Sequence, residues 1–374
     1  MRRFQLLPGT LTKLLHVVRS AFVLITSMLT MALPAQADPP RFAQVDPRIP
    51  LSFPRDFGAH PDFRTEWWYA TGWVETPDGQ SLGFQVTFFR SATEHESSNP
   101  SKFAPKQLIV AHAAISDPKV GKLQHDQRIA RAGFGLAQAS TATTDVKLGR
   151  WSMQRDADGR YQVKLPARDF SFALTLTPTQ AVLLQGTQGY SRKGPQAEQA
   201  SYYYSEPHLQ VSGSITRHGK ASAVSGSAWL DHEWSSTVLD PQAVGWDWVG
   251  ANLDDGSALM AFRIRRSDGS SLWQHASLRT KDGRLKQVTS DKIQFTPLRQ
   301  WRSPRTQASY PVELQLKVDQ HEWRLRPLQD DQELDSRQST GAVYWEGAVT
   351  LERDGRRDGR GYLEMTGYVK PLKL

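Results

Sequence analysis

The stretch Gly226-Ser-Ala-Trp-Leu-Asp-His-Glu-Trp234 sets two tryptophans around an Asp-His-Glu triplet, and Gly245-Trp-Asp-Trp248 follows shortly after it. Read as a strand, its side chains alternate between two faces. Ala228, Leu230, His232 and Trp234 then share one face, while Trp229, Asp231 and Glu233 share the other. A histidine is thereby set among apolar neighbours.

The same period of two recurs along the chain. Leu82, Phe84, Val86 and Phe88 alternate with Gly83, Gln85 and Thr87, and segments 170–177, 209–215, 312–318 and 343–351 also read as short strands. Asp78-Gly79, Asp158-Gly159, Asp255-Gly256 and Asp268-Gly269 supply hairpin turns. No segment has a convincing helical period, and 330–338 reads as a polar loop or short helical turn. An internal echo appears as well: Trp67 to Val74, Asp78-Gly79 and Leu82 to Arg90 follow the same order as Trp246 to Leu253, Asp255-Gly256 and Leu259 to Arg265. The pattern predicts an all-β chain of two tandem antiparallel barrels or sandwiches.

The first residues read as an export signal. Arg2, Arg3, Lys13 and Arg19 precede an apolar run from Ala21 to Leu33, and Ala35-x-Ala37 offers a cleavage site before Asp38. The run is shorter than the roughly 20 residues that span a bilayer. Removing that segment lowers the formal charge from +8 to +4, because it carries four Lys or Arg and no acid. Without clustered basic residues in a recognisable module, nucleic acid is not an expected partner. Arg263, Arg265, Arg266 and the arginines from Arg353 to Arg360 read as solvated strand ends. The chain has no cysteine, which excludes disulfides, thiolate metal sites and a thiol nucleophile. The expected setting is the periplasm.

Three motifs, Glu66-Trp-Trp-Tyr-x-Thr-Gly72, Ala228-Trp-Leu-Asp-His-Glu-Trp234 and Gly245-Trp-Asp-Trp248, carry a resemblance, supported by Ala111-His-Ala-Ala114, Tyr202-Tyr-Tyr-Ser205 and Gly361-Tyr-Leu-Glu-Met-Thr-Gly-Tyr368. Together they resemble the lipocalin-like carotenoid 1,2-hydratase and AttH family. The resemblance implies two calycin-type (lipocalin-like) β-barrels. With the export segment at 1–37 and an extended lead-in at 38–59, the expected barrels are 60–235 and 236–374. It also implies handling of an apolar small molecule or lipid, in members associated with an ABC transporter of the lipoprotein-release type. For the founding enzymes it implies hydration of an isoprenoid double bond by a His-x-Trp pair and a downstream Tyr-x-Asp. His232-x-Trp234 matches the pair, but the counterpart strand reads Ala261-Phe-Arg-Ile264, without tyrosine or carboxylate.

His232 and Trp234 are therefore candidate catalytic residues, with a buried structural histidine as the alternative. Glu364 joins them: Tyr344 and Glu346 share one strand face, Tyr362 and Glu364 another, and two such strands side by side bring carboxylates and phenols together. An ion pair to one of the many arginines is the competing account. Trp67, Tyr69, Trp73, Trp246, Trp248 and Tyr344 are the candidate ligand-binding aromatics, which serve equally well as barrel filling. His60, His112, His208 and His275 lack a ligand spacing with Asp231-His232-Glu233, so neither a metal nor another cofactor is expected. The expected function is binding of an elongated apolar ligand, with a hydratase-type reaction or a filled, purely structural barrel pair as alternatives.

Overall fold

The computed structural model describes residues 42–95, 99–237 and 239–372, and the export segment lies outside them. Among the described residues the regular structure is all strand, apart from short 3-10 turns at Arg55–Phe57 and Ser290–Lys292. Strands from Thr65–Glu75 to Lys220–Thr237 form a 13-stranded antiparallel sheet, and those from Gly245–Leu253 to Arg356–Met365 form a 10-stranded one. The first curls into a nearly closed barrel. Trp68, Phe84, Phe88, Trp151 and Leu230 are among the side chains that fill it.

The echo in the sequence has a topological counterpart. Thr65–Glu75 pairs with its hairpin mate Ser81–Ala92 on one side and with Lys220–Thr237, the last strand of its sheet, on the other. Gly245–Leu253 does the same with Ala258–Arg265 and Arg356–Met365. Each sheet is thus held at its middle by the opening strand gripping the closing one.

Through these central strands the two sheets pack on each other. Tyr69, Trp73 and Trp229 meet Trp248, Phe262 and Tyr362 in one buried cluster. Gly83 permits the close approach, because a Cβ there would lie 2.6 Å from both the Ala348 Cβ and the Tyr362 hydroxyl.

Two local expectations need correction. Within 330–338, Glu333–Ser336 is a strand paired with Ala342–Arg353, and Glu333 is held by Ser303, Thr306 and Tyr310 instead of marking a loop. Arg263 and Arg265 are buried, not solvated. They lie on one strand face, and Asp247 on the adjoining strand accepts from Arg263 Nε at 2.6 Å and Arg265 Nε at 3.1 Å.

Candidate functional site

Alternation holds through the opening motif, and its two faces do different work. On the first face His232 is fully buried, stacked on Trp68 with ring centroids 4.7 Å apart. Its Nε2–H donates to Glu66 Oε1 at 2.8 Å, while the Tyr204 hydroxyl donates to its Nδ1 at 3.0 Å. That pairing fixes a neutral tautomer. Burial pushes the imidazole down to about 4, against the opposing pull of Glu66.

Glu66 is the hub of this cluster. It also accepts from the His60 backbone N–H at 2.9 Å, from His60 Nδ1 at 2.8 Å and from Arg90 Nε at 2.7 Å. Burial opposes its ionisation, but hydrogen bonds from His232 and His60 outweigh this and hold the carboxyl well below the usual range. For His60, burial is likewise outweighed by Asp56 and Glu66, which raise it. The His60 ring lies flat on Trp234, 3.6 Å between centroids.

His60 Nδ1, Glu66 Oε1 and His232 Nε2 lie within 4.8 Å of one another, a donor set that zinc also uses. They do not fit a cation. Each imidazole nitrogen is already bonded to the carboxylate, and Arg90 holds its own positive charge against the remaining oxygen. The other histidines go elsewhere: His112 to Tyr344, His208 to the Ser257 carbonyl and His275 to Gln287.

The second face of the strand borders a cavity of about 120 Å³ between the sheets. Trp67, Phe89, Trp246, Trp248, Phe262 and Ile264 make its apolar walls. Asp231 accepts from Trp229 Nε1 at 2.6 Å, Ser205 Oγ at 2.6 Å and the Tyr203 hydroxyl at 2.7 Å. Burial outweighs these donors and pushes its carboxyl up to about 7. Glu233 pairs with Lys193 Nζ at 2.9 Å, and that ammonium lies 4.4 Å from the centre of the Phe262 ring.

Across the cavity, Glu346 and Glu364 sit directly opposite each other on neighbouring strands. Neither forms an ion pair with an arginine among the described residues, so the competing account of these acids does not apply. Burial pushes Glu364 up to about 7; burial and the neighbouring Glu364 push Glu346 well above the usual carboxylate range. The Tyr344 hydroxyl beside them bonds to His112 Nδ1 at 2.8 Å, and His112 is held neutral because burial pushes it down to about 3.

Of the sequence candidates, Trp67, Tyr69, Trp246, Trp248, Tyr344 and Glu364 converge on this cavity. Trp73 lies apart, under the Arg360 guanidinium in another cleft of the same interface. His232 and Trp234 point into the opposite face of their strand. That face is turned away from the cavity, because the sheet stacks through the face carrying Trp229, Asp231 and Glu233. In the strand lacking Tyr-x-Asp, Phe262 and Ile264 line the cavity, while Arg263 turns to Asp247. Sequence reasoning missed Lys193 and Arg90, set His60 aside for want of a ligand spacing, and named Tyr203 only within the Tyr202-Tyr-Tyr-Ser205 motif. Only Arg90 had an available signal, since the Asp78-Gly79 turn registers it against Glu66.

A family model described as AttH-like matches residues 44–368. The chain belongs to the AttH-like family. A crystal structure of a Nitrosomonas europaea protein assigned to AttH shares 59% identity, covering 87% of this chain and all of that one, with a TM-score of 0.83. At 14% identity the likeness is one of fold. Kievitone hydratase from Nectria haematococca superposes with a TM-score of 0.67 over 88% of this chain and 96% of its own. CghA, solved with Sch210972, gives 0.53 over 89% and 96%. No curated protein sequence matches the chain.

Proposed function

We propose that this AttH-like chain binds an apolar small molecule or the end of a longer lipid in the cavity between its sheets. The observation that carries this reading is an aromatic-walled cavity whose facing acids, Glu346 and Glu364, are biased toward the neutral state. A volume of about 120 Å³ suits one ring or a short run of chain; a cavity of roughly 150 Å³ holds benzene. An elongated ligand would leave its remainder outside. Native mass spectrometry of protein taken gently from its own envelope tests the reading. Copurifying lipid or isoprenoid, lost in Trp67→Ala, is expected; an empty protein that also takes up none when supplied would sink it.

A second reading, hydration of an isolated double bond, is favoured by the same acid pair. A neutral carboxyl can protonate the alkene carbon, the indoles can stabilise the cation through their faces, and water then adds and returns a proton to the carboxylate. Incubation with an isoprenoid in ¹⁸O water should give the labelled alcohol, and Glu364→Gln should abolish it. Export, with a lipoprotein-release-type transporter as partner, belongs to the proposal as well. Fractionation of the tagged chain tests the first part, and cross-linking tests the second.

A further inference from the structure

Eight large apolar side chains are exposed among the described residues, and four of them, Phe103, Ile129, Phe134 and Leu136, gather at one corner of the first sheet. The corner is built on the turn that joins Gln124–Arg131 to Ala137–Ala139, the two strands that end that sheet. Phe103 is 79% exposed and Phe134 60%, and their rings stack with centroids 5.7 Å apart. Arg131 fixes both. Its guanidinium donates to the Phe103, Lys102 and Ala104 carbonyls at 2.7, 2.9 and 3.2 Å, and lies 4.8 Å from the centre of the Phe134 ring. Phe134 also has a φ of 55°, a left-handed conformation that bulky residues rarely adopt. Such strain concentrates where function uses it. The charge around these rings has one sign. Residues 99–116 and 127–144 contain Lys102, Lys106, Arg128 and Arg131 and no Asp or Glu; the exposed Arg150 follows Gly149, whose N–H donates to the Leu136 carbonyl at 2.8 Å. Glu94, next to the Thr93 that pairs with Lys106, leaves the balance positive.

We propose that this corner is a docking surface for an anionic lipid bilayer. A membrane surface takes both parts of it: the phenylalanines and aliphatic tips enter the boundary of the acyl chains, while the lysines and arginines meet headgroup phosphates. The strand face behind the corner ties it to the cavity. Trp67, a cavity wall, is registered against Phe89, Phe89 against Val110, and Val110 against Ile129. Residues directly opposite on paired strands share a face, so an apolar row crosses four neighbouring strands from the cavity to the exposed corner. A lipid chain too long for the cavity can lie along that row toward the bilayer. The proposal goes beyond the ligand reading and does not need it, since docking is measured with vesicles alone.

Flotation tests the surface, using the chain isolated from its own envelope and vesicles of phosphatidylcholine, either alone or mixed in equal parts with phosphatidylglycerol. The chain should bind the mixed vesicles about ten-fold tighter than the neutral ones and be released by salt. Phe103→Ser and Phe134→Asn should each weaken that binding by about ten-fold, the worth of one buried apolar side chain, and asparagine also suits the left-handed backbone. Lys102→Gln and Arg150→Gln should each cost about five-fold, on the mixed vesicles only. Because the chain has no cysteine, Leu136→Cys can carry a polarity-sensitive dye, whose emission should shift to the blue on the mixed vesicles. The same dye at Leu285→Cys, on an edge strand of the second sheet, should not respond. No flotation would leave the corner to a protein partner and overturn the proposal, as would equal binding to both kinds of vesicle or an equal response of the two dyes. Failure of the cavity to take a ligand would change none of these results.

Discussion

The two faces of the strand Lys220–Thr237 carry similar residue types to opposite ends. On one face, His232 and Trp234 join a cluster in which Glu66 takes four donors and Arg90 balances the charge. On the other, Asp231 and Glu233 border a cavity faced by Glu346 and Glu364, which form no ion pair among the described residues. Counter-charge distinguishes them. A buried carboxylate held by several donors and a guanidinium rigidifies a fold, whereas buried acids without a counter-charge are biased to the neutral state. Chemistry-bearing residues alone therefore do not mark the ligand side of this strand.

The sharpest test of that contrast is Glu66→Gln. Arg90 is wholly buried, and removing its counter-charge leaves an uncompensated guanidinium, which costs about 3–5 kcal/mol. Denaturant unfolding should show that loss. A cost below about 1 kcal/mol would mean that the cluster does not hold the fold as argued.

Next comes a pair of tryptophans. Trp234→Ala should destabilise by about 3–5 kcal/mol, the range for a large buried aromatic, and change ligand affinity little in the fraction that remains folded. Trp67 is partly open to the cavity, so Trp67→Ala should instead weaken apolar ligand binding by about 1–3 kcal/mol. Calorimetric binding beside thermal unfolding separates the two. If Trp234→Ala abolished binding in a stably folded protein, the functional face would be the other one.

Much of this division was legible before any coordinates. Alternation assigned the side chains of residues 228–234 to their faces, and the tandem aromatic hairpins anticipated two sheets of matching topology. The meeting of Glu346 with Glu364 was one of two accounts the strand patterns left open, beside an ion pair to arginine. What alternation cannot supply is which face another sheet will cover. That depends on Trp248, Phe262 and Tyr362, which belong to the second sheet and whose approach no local pattern announces. His60 reaches Glu66 from an irregular lead-in, and Lys193 reaches Glu233 from a glycine-containing stretch; neither segment has a period to read. Arg263 and Arg265 looked solvated because nothing local announces Asp247 as their partner.

A smaller effect of opposite sign should come from Glu346→Leu. Its carboxyl is buried opposite Glu364 with no ion pair among the described residues, so replacing it with an apolar group removes a desolvation cost. A gain of about 1 kcal/mol is expected, at the expense of ligand selection, in line with the usual trade between stability and function at a binding site. Unfolding by denaturant should show the midpoint rising. A loss of several kcal/mol would mean that this acid is structural and belongs with Glu66.

The subtlest difference between the faces is in pH. His232, pushed down to about 4, favours the folded state in its neutral form. Its contribution is complete above about 6.5, the ordinary histidine value, and is lost as pH falls toward 4. Glu364, pushed up to about 7, favours the folded state when protonated. Its contribution is complete below the ordinary carboxylate value of about 4.3 and is lost as pH rises through 7. Measured against His232→Phe, the parent should therefore lose stability on acidification between about pH 6.5 and 4. Against Glu364→Gln it should lose stability on alkalinisation between about pH 4.5 and 7, with Glu346 sharing the titration as the other half of a coupled pair. Each slope should be a fraction of the about 1.4 kcal/mol per pH unit that a full proton gives. Slopes of the same sign would remove the electrostatic basis for treating one face as a locked ionic cluster and the other as a reservoir of neutral acid.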